Sequence, residues 1–374
     1  MKSRADLKNA SCCVIKIGSA VLTDNGRGLN HAAINEWVEQ ISELKSRGVN
    51  VVIVSSGSVA EGMVRLGWNS RPHALHQLQA AASVGQMGLI QAYEQSFQRQ
   101  GFKTAQVLLT HDDLSNRTRY LNARATIKTL LELSVVPIIN ENDVVANDEL
   151  RVGDNDTLAA IIANLISADL LMILTDQDGF FDADPRMNAD AKLLDQVKVG
   201  DPSLDQAAGD SSGALGRGGM QTKLTAARMA ARSGSATVIA PGLRKNVVLD
   251  VIDGVSTGTL LVPDEAPVSA RKRWLTAHLD IKGRLVLDAG AVNALQKSGV
   301  SLLSIGVLEV NGSFSRGDLV ACFTEDGELV ARGLINYASV DIDKIKGRKS
   351  SAIEAVLGFI DEAEIMHRDN LVLL

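Results

Sequence analysis

The sequence has little cysteine, little aromatic content and no apolar run of membrane-spanning length. Its three cysteines, Cys12, Cys13 and Cys322, form neither a disulfide framework nor a zinc-binding pattern, which favours a reducing compartment. The first ten residues are polar and charged, and they lack the apolar core of a secretory signal. We therefore expect a cytoplasmic protein that does not associate with a membrane.

The sequence also has no excess of positive charge. The formal net charge of −6 gives no overall attraction to nucleic acid or to anionic membranes. The six histidines are scattered, and the pair His73 and His76 lacks a third ligand, so we predict no metal site formed by protein side chains. The chain has 374 residues, of which 45% are hydrophobic, and this is enough for two or more soluble globular domains.

Between Cys12 and about Val262, short β-rich runs alternate with Ala-rich segments of helical period. The alternation repeats at least five times, which is typical of an α/β fold with βαβ units around a mainly parallel sheet. We predict strands at Cys13–Ile17, Val49–Val54, Thr104–Leu109, Val135–Ile139, Leu170–Thr175 and Ala236–Ile239. The predicted helices are His31–Arg47, His76–Gln100, Arg119–Leu133, Thr157–Ser167 and Gly219–Ser233.

The character of the sequence changes after a proline- and acid-rich connector at 263–267, which leads into the basic residues 271–273. Short alternating runs punctuated by glycine then predict strands at Gly283–Leu287, Ser304–Val310, Asp318–Phe323 and Leu329–Leu334. This pattern indicates a small mixed-β domain. We place the α/β domain at 1–262, a linker at 263–273 and the small domain at 274–374.

Two bursts of amides and carboxylates stand out. The first closes the apolar run at 135–139 and comprises Asn140, Glu141, Asn142 and Asp143. The second precedes a helical segment and comprises Gly153, Asp154, Asn155, Asp156 and Thr157. Open α/β sheets bind small ligands at the carboxyl ends of their strands, where free N–H groups at the start of a helix face the same cleft. A turn and a helix cap explain two or three of these residues but not the whole set, so we expect a binding site here.

Two lysines stand beside glycines in positions that suit an anion. Lys16 interrupts an apolar strand just before Gly18, and because a buried ammonium needs a partner it should project toward an anion; a surface lysine on an edge strand is the alternative. Lys223 follows a glycine-rich loop and falls in the first turn of a helix. No Walker A loop and no strand followed by Gly-x-Gly-x-x-Gly occurs. The sequence thus predicts phosphate handling by these two lysines from opposite ends of the sheet domain.

The chain resembles the amino acid kinase family in six segments that occur in order: Val14–Ser19, Ser55–Gly62, Asn140–Asp143, Gly153–Ala160, Thr175–Arg186 and Gly216–Lys223. The loop Thr175–Arg186 is also rich in carboxylates, but its glycine comes too early for a calcium loop and no glutamate closes it. Arg271–Leu275 and Phe314–Asp318 resemble parts of the PUA domain that many bacterial members carry. The resemblance implies a three-layer αβα sandwich followed by a PUA-like domain.

The resemblance further implies transfer of the γ-phosphoryl group of ATP to the side-chain carboxylate of L-glutamate, the first step of proline synthesis. It assigns neutralisation of phosphate charge to Lys16 and Lys223, and the holding of their ammonium groups to Asp156. The implied glutamate-binding residues are Ser56, Asn140, Asp143 and Asn155. The implied nucleotide-binding residues are Lys16, Thr175, Asp176, Arg217, Gly218, Gly219, Met220, Gln221, Thr222 and Lys223. Mg²⁺ is expected to be held mainly by the ATP phosphates.

Partners follow from the same resemblance. It implies feedback inhibition by proline, a homo-oligomer (dimer or tetramer) and a transient contact with the glutamyl-phosphate reductase that consumes the labile product. Arg151 and Arg217 depart from the family pattern, which often has lysine and threonine at these positions. The departures affect the details of glutamate and nucleotide contacts, and neither removes a group with an implied catalytic role.

Two alternatives stay open at this point: another carboxylate or phosphate acceptor on the same fold, and an RNA-binding regulatory protein. The segment 274–374 contains 10 Lys and Arg against 14 Asp and Glu, and its one basic cluster is at 344–349, so phosphate-driven RNA affinity should be weak. The presence of Lys16, Asp156 and Lys223 argues against a disabled kinase. The clusters at 140–143 and 153–156 favour glutamate over other acceptors.

Overall fold

The computed structural model describes residues 1–23, 28–146, 155–209, 219–264, 281–298 and 300–373. The chain divides into two compact units. The first comprises Met1–Ser115 and Asn122–Ala270, and the second comprises Asn116–Leu121 and Arg271–Leu374. The domain limits expected from the sequence stay a prediction, because most of the proposed linker, from 265 onward, lies outside the described residues.

The first unit is built around an eight-stranded sheet. Its strands are β1 Cys12–Ile17, β2 Asn50–Ser55, β3 Thr104–Leu109, β4 Val136–Glu141, β5 Leu170–Thr175, β6 Gln196–Lys198, β7 Ala236–Pro241 and β8 Thr259–Val262. Their order is β3-β4-β2-β1-β5-β7-β8-β6. The pairs from β3 to β7 are parallel, β8 runs antiparallel to β7, and β6 pairs parallel with β8. The central strands are therefore continuous apolar runs, as expected for parallel strands covered on both faces.

Helices of the first unit connect and cover these strands. They are α1 Ser19–Leu22, α2 His31–Ser46, α3 Ser58–Arg65, α4 Leu75–Arg99, α5 His111–Ser115, α6 Arg117–Glu132, α7 Asn155–Ile166, α8 Ser203–Gly209, α9 Met220–Ala231 and α10 Val247–Ile252. The residues of α6 that precede Asn122 are counted with the second unit. Along β1, the alternate residues Cys13, Ile15 and Ile17 join a core cluster with residues of α2, α4 and α10. Val14, on the opposite pleat, is equally buried but lies outside that cluster. Helices thus pack on both faces of the sheet, and the expected α/β fold is confirmed.

Helix α2 illustrates how the sequence specifies these elements. Asn30 caps its first turn by accepting a hydrogen bond from the backbone N–H of Ala33 at 3.0 Å. Ile34, Trp37 and Ile41 recur at helical spacing and are all buried. All six predicted strands and all five predicted helices of this unit are present, with bounds that differ by two residues or fewer. The sequence-based prediction missed the short strands β6 and β8.

The second unit contains a five-stranded mixed sheet in the order β10-β9-β11-β12-β13. The strands are β9 Ile281–Leu287, β10 Val307–Asn311, β11 Leu319–Phe323, β12 Leu329–Leu334 and β13 Leu371–Leu373. β9 and β11 are parallel and the other pairs are antiparallel. The helices are α11 Ala289–Ser298, α12 Ser339–Ile345 and α13 Ile353–Leu357. The expected mixed-β architecture is confirmed.

In the described parts of both units, no helix is both long and apolar enough to span a bilayer.

Candidate active site

Lys16 lies near the carboxyl end of β1, a central strand that pairs with both β2 and β5. The alternative of a surface lysine on an edge strand is therefore wrong, and the residue is only 7% exposed. Its Nζ lies 2.6 Å from Oδ1 of Asp156. The chain turns next to this ammonium at Gly18, where an added Cβ would lie 3.2 Å from the carbonyl oxygen of Leu174 and 3.6 Å from Lys16 Nζ. Glycine thus lets the backbone pass close to the charge.

Asp156 connects three elements of the first unit. It occupies the first turn of α7 and is 1% exposed. Besides Lys16 of β1, its partners come from the first turn of α9: Lys223 Nζ lies 3.3 Å from Oδ2, and the Thr222 hydroxyl donates to Oδ2 at 3.0 Å. Lys223 is 5% exposed. The predicted role of Asp156 in holding two ammonium groups fits this geometry.

The electrostatics of this Lys–Asp–Lys centre favour an anionic ligand. Burial raises the pKa of Asp156, but the nearby ammonium groups of Lys16 and Lys223 and the Thr222 hydroxyl outweigh burial and lower it to about 2. The carboxylate is therefore ionised at neutral pH. With two cations for one anion, the buried centre carries a net positive charge. Such a centre can accept phosphate oxygens where water would otherwise weaken the attraction.

An amide cluster lies directly beside the charged centre, since Asn155 precedes Asp156 in the chain. The Asn155 Nδ2 donates to the Ser55 carbonyl oxygen and the Ser56 Oγ, each at 3.0 Å, and to the Asn140 Oδ1 at 3.3 Å. Asn140 is 2% exposed at the carboxyl end of β4. The structure thus brings together three of the four residues predicted to bind glutamate.

The fourth residue, Asp143, follows β4 and is partly buried. Its Oδ2 accepts a hydrogen bond from the Ser58 hydroxyl at 3.0 Å. Ser58 begins α3, directly after Gly57, whose φ of 90° places it in the left-handed region that favours glycine. Burial raises the pKa of Asp143 to about 6, while the Ser58 hydrogen bond and the charge of Arg71 oppose that rise. Asp143 therefore titrates near neutral pH when no ligand is bound.

The described residues predicted to bind nucleotide fall on three elements: Lys16 on β1, Thr175 at the end of β5, and the start of α9. Thr175 is the buried last residue of β5, and its hydroxyl donates to the exposed Asp176 carboxylate at 3.0 Å. Gly219 caps α9, and the residues that follow it form the first turn: Met220, Gln221, Thr222 and Lys223. Of this first turn, Thr222 and Lys223 contact Asp156. Arg217 and Gly218 lie outside the described residues, as does Arg151.

Two residues of α4 contact the amide cluster without having been predicted. The Gln86 Oε1 accepts from Asn140 Nδ2 at 2.8 Å, and the Tyr93 hydroxyl lies 3.2 Å from the Ser55 Oγ. Both are buried, seven positions apart on one face of the helix. The available signal was a glutamine at a core position of an Ala-rich helix.

Protein side chains offer no dedicated metal site in the described ranges, where no group of three or more His, Cys, Asp and Glu residues is arranged to hold an ion. Asp156, the buried carboxylate of the charged centre, is bonded to two ammonium groups and a hydroxyl. Its oxygens are therefore already engaged by cations. A metal ion at this site would need other ligands than the described carboxylates.

A mainly parallel α/β sheet with a buried Lys–Asp–Lys centre at its strand ends, and without a Walker A loop, fits a kinase. The chain belongs to the amino acid kinase family, whose model matches residues 11–240, and a PUA domain matches residues 283–357. The family predicted from the sequence motifs is confirmed.

Curated relatives match over almost the whole chain. The protein named Glutamate 5-kinase from Methylococcus capsulatus is 57% identical and the match covers 100% of both chains. The one from Pseudomonas aeruginosa strain UCBPP-PA14 is 60% identical, covering 96% of this chain and 97% of the relative. The one from Chromohalobacter salexigens is 56% identical, and the match covers 100% of this chain and 98% of the relative. Among solved structures, carbamate kinase from Giardia lamblia bound to AMP-PNP has a TM-score of 0.50 at 16% identity, covering 69% of this chain and 100% of that chain, which supports the fold alone.

Proposed function

We propose that this protein transfers the γ-phosphoryl group of ATP to the side-chain carboxylate of L-glutamate, giving γ-glutamyl phosphate and ADP in the first step of proline biosynthesis. One structural observation carries the proposal. A buried centre with net positive charge, formed by Lys16, Asp156 and Lys223, adjoins an amide cluster that can bind an amino acid. Relatives named Glutamate 5-kinase, 56 to 60% identical over nearly the full length, support the choice of acceptor.

The chemistry needs little from the protein in the way of proton transfer. The acceptor carboxylate is already ionised at neutral pH, so no general base is required. What the site must supply is alignment of the acceptor with the γ-phosphorus and neutralisation of charge on the transferred group. Asp156, with a pKa of about 2, stays ionised and holds two ammonium groups instead of taking a proton.

The two lysines come from opposite sides of that carboxylate. Lys16 projects from β1 and Lys223 from the first turn of α9, and each bonds a different oxygen of Asp156. We assign to these ammonium groups the neutralisation of the phosphate oxygens as the phosphoryl group passes to glutamate. Asp156 then acts as the residue that sets the spacing between the two cations. The start of α9 adds backbone N–H groups that favour phosphate.

Glutamate binds in this proposal against the amide cluster. Asp143 in its ionised form is a suitable partner for the α-ammonium group, since a charge-assisted hydrogen bond is stronger than a neutral one. Asn155, Ser56 and Asn140 supply the neutral polar contacts. Because Asn155 and Asp156 are consecutive, glutamate held there lies beside the two lysines. Thr175, Asp176 and the segment 217–223 are assigned to the nucleotide.

The divalent metal of the reaction enters, in this proposal, as Mg²⁺ on the ATP phosphates. The described carboxylates do not form a site for it, and Asp156 is held by cations. Bound to the phosphates, Mg²⁺ supplies further neutralisation of their charge. The protein's own contribution is the pair of lysines and the alignment described above.

Further features rest on family membership. We assign the protein to the cytoplasm as a homo-oligomer, a dimer or a tetramer, that is inhibited by proline. Because γ-glutamyl phosphate is a labile acyl phosphate, a transient contact with the reductase that consumes it is part of the proposal. The PUA domain takes a structural or regulatory role, since the segment 274–374 carries fewer basic than acidic residues.

The test is acyl-phosphate formation, trapped as the hydroxamate with hydroxylamine. Purified protein, ATP and Mg²⁺ are incubated with L-glutamate, L-aspartate or N-acetyl-L-glutamate, each with and without L-proline. We expect turnover with L-glutamate and its suppression by proline. Turnover with another acceptor alone would overturn the substrate while leaving the kinase chemistry, and no turnover with any acceptor would overturn the proposed function.

A further inference from the structure

We propose that Gln86 is a positioning residue for the acceptor site: it fixes the side-chain amide of Asn140 and, through it, that of Asn155. The inference rests on the proposed function in one respect, because it takes the amide cluster as the part of the site that binds the acceptor. Gln86 itself is placed on α4, away from the charged centre, and its bond to Asn140 joins residues 54 positions apart in the chain.

The orientation of the Asn140 amide follows from its partners. The backbone N–H of Glu141 donates to one side-chain atom of Asn140 at 2.9 Å, and since a backbone N–H can only donate, that atom is the oxygen Oδ1. The nitrogen Nδ2 then faces Gln86, whose Oε1 accepts from it at 2.8 Å. Asn140 is too buried for water to replace this acceptor. Gln86 therefore holds the nitrogen end of the Asn140 amide.

The same reasoning orients Asn155. The carbonyl oxygen of Ser55 can only accept, so the Asn155 atom 3.0 Å from it is the nitrogen Nδ2. That nitrogen also donates to Ser56 Oγ and to Asn140 Oδ1. If the Asn140 amide turned over, its NH₂ group would face the NH₂ group of Asn155, and the two donors would repel. The position of Asn155 thus depends on the bond between Asn140 and Gln86.

This arrangement leaves the Asn155 Oδ1 for a ligand. No described residue donates a hydrogen bond to that oxygen in the structure, whereas the nitrogen of the same amide has three acceptors. A carbonyl oxygen held in one orientation beside Asp156 is a specific acceptor for an N–H of the bound amino acid. Loss of that orientation should weaken acceptor binding without altering the lysines.

Gln86 is poorly explained as a purely structural residue. It is 9% exposed, and its Nε2 is buried with no hydrogen-bond partner in the described part of the chain. A buried donor without a partner destabilises the fold, so the amide contributes through its Oε1 alone. Methionine has a similar length and shape and would remove the unpaired donor. The bond to Asn140 is the contact that requires glutamine here.

Helix α4 can serve as a fixed reference for the amide cluster because two further contacts hold it to the same loops. The Tyr93 hydroxyl contacts the Ser55 Oγ, just before Ser56. At Gly85 an added Cβ would lie 1.8 Å from the Ser58 carbonyl oxygen, so α3 and α4 touch through their backbones there. The serine loop and Gln86 are therefore parts of one rigid packing arrangement.

The test is a double-mutant cycle with Gln86→Met, Asn140→Ala and the double variant. Gln86→Met should raise KM for the acceptor about tenfold, with kcat and KM for ATP changed by no more than about twofold. Its Tm should shift by no more than about 3 °C. The substitution leaves Asn140 Nδ2 without its acceptor, but it also removes the unpaired Gln86 Nε2, so the number of unpaired buried donors stays the same. The double variant should bind the acceptor no worse than Asn140→Ala alone, since Gln86 acts through Asn140. The exposed Gln91, changed to Met on the same helix, is the control and should leave the kinetics unchanged.

Additive losses in the double variant would mean that Gln86 contacts the ligand directly, and an unchanged KM would mean that it positions nothing; either result overturns the inference. If the wild-type protein phosphorylates an acceptor other than L-glutamate, the proposed function fails, and the cycle is measured with that acceptor. A crystal structure of the Gln86→Met variant decides independently of activity. The inference requires Asn155 Nδ2 to leave Ser56 Oγ, and retention of the 3.0 Å contact would overturn it.

Discussion

Asn155 and Asp156 are consecutive residues at the start of α7, and their side chains bond to two different halves of the site. Asn155 donates to Ser56 in the amide cluster, whereas Asp156 holds Lys16 and Lys223. One turn of helix therefore sets the distance between the group that we assign to the acceptor and the groups that we assign to phosphate. In-line phosphoryl transfer depends on this kind of alignment.

The first prediction concerns Lys223. Lys223→Ala should lower kcat about 100-fold or more and change KM for glutamate only a few-fold, because the ammonium contact strengthens as charge develops on the transferred group. Steady-state kinetics with saturating ATP measure both constants. Lys198→Ala, at an exposed position of β6, is the matched control and should be silent. Equal losses in kcat and in affinity for glutamate would contradict the role assigned to Lys223.

The second prediction concerns the stability of the charged centre. Asp156→Ala leaves Lys16 and Lys223 buried without their carboxylate, and unfolding by urea should show a loss of about 3–5 kcal/mol. Adding Lys16→Met to Asp156→Ala removes one of the two stranded cations and should recover part of that stability, with no recovery of activity. A double variant less stable than Asp156→Ala would show that the lysine stabilises the fold by other contacts.

The third prediction is a pH dependence that arises at Asp143. Burial raises the pKa of this carboxyl to about 6, against 3.8 ordinarily, so between these values the folded state holds a proton that the unfolded state lacks. Its contribution to stability therefore decreases as pH rises through that window. Over the same window the population of the ionised form, to which we assign the α-ammonium of glutamate, increases. We expect kcat/KM for glutamate to rise about fivefold from pH 5 to pH 6 and about twofold more by pH 8.

Asp143→Asn separates this titration from others in the reaction. The variant should bind glutamate more weakly at every pH and lose the rise around pH 6, while KM for ATP stays unchanged. Any dependence that survives in the variant belongs to the substrates or to other groups. A rise confined to KM for ATP would place Asp143 on the nucleotide instead.

The sequence predicts a strand well where a run of apolar residues is bounded by polar residues on both sides. The strand Leu170–Thr175 was predicted with the bounds that the structure shows, because five apolar residues and a buried threonine lie between Asp169 and Asp176. The strand Thr259–Val262 was missed, since a run of four residues gives no period. Its reversed direction relative to Ala236–Pro241 depends on pairing across the sheet, and a local pattern contains no information on strand direction.

Site residues are likewise found from the sequence where they differ in polarity from their neighbours or stand in a dense polar cluster. Lys16 was predicted because an ammonium in an apolar run needs a partner, and Asp156 because it stands in a dense polar cluster. Gln86 was missed because it is one of six glutamines in α4 and nothing nearby in the sequence distinguishes it, while its partner Asn140 is 54 positions away. A hydrogen bond between two neutral side chains that are far apart in the chain hardly affects the composition or the hydrophobic period of the sequence around either residue.

The last prediction concerns Arg4, which ties the N-terminal segment to the edge of the first sheet. Its guanidinium donates to the Asp195 carboxylate and carbonyl at 2.9 and 2.8 Å, and to carbonyl oxygens of Val255, Thr257 and Gly258 at 3.3, 3.2 and 2.6 Å. Arg4 is largely buried, so its removal leaves carbonyl groups that water cannot easily reach.

Arg4→Met keeps most of the apolar stem and removes the five donated bonds. We expect a loss of about 3 kcal/mol in the free energy of unfolding, measured with urea, and unchanged KM values for glutamate and ATP, because Arg4 bonds to none of the described residues of the site. The exposed Lys8→Ala, on the same 3₁₀ helix Arg4–Asn9, is the control and should stay within about 0.5 kcal/mol of wild type. A fall in kcat that exceeds the loss of folded protein would connect this edge of the sheet to catalysis, and a loss below about 0.5 kcal/mol would show that the carbonyl groups find other donors once the guanidinium is gone.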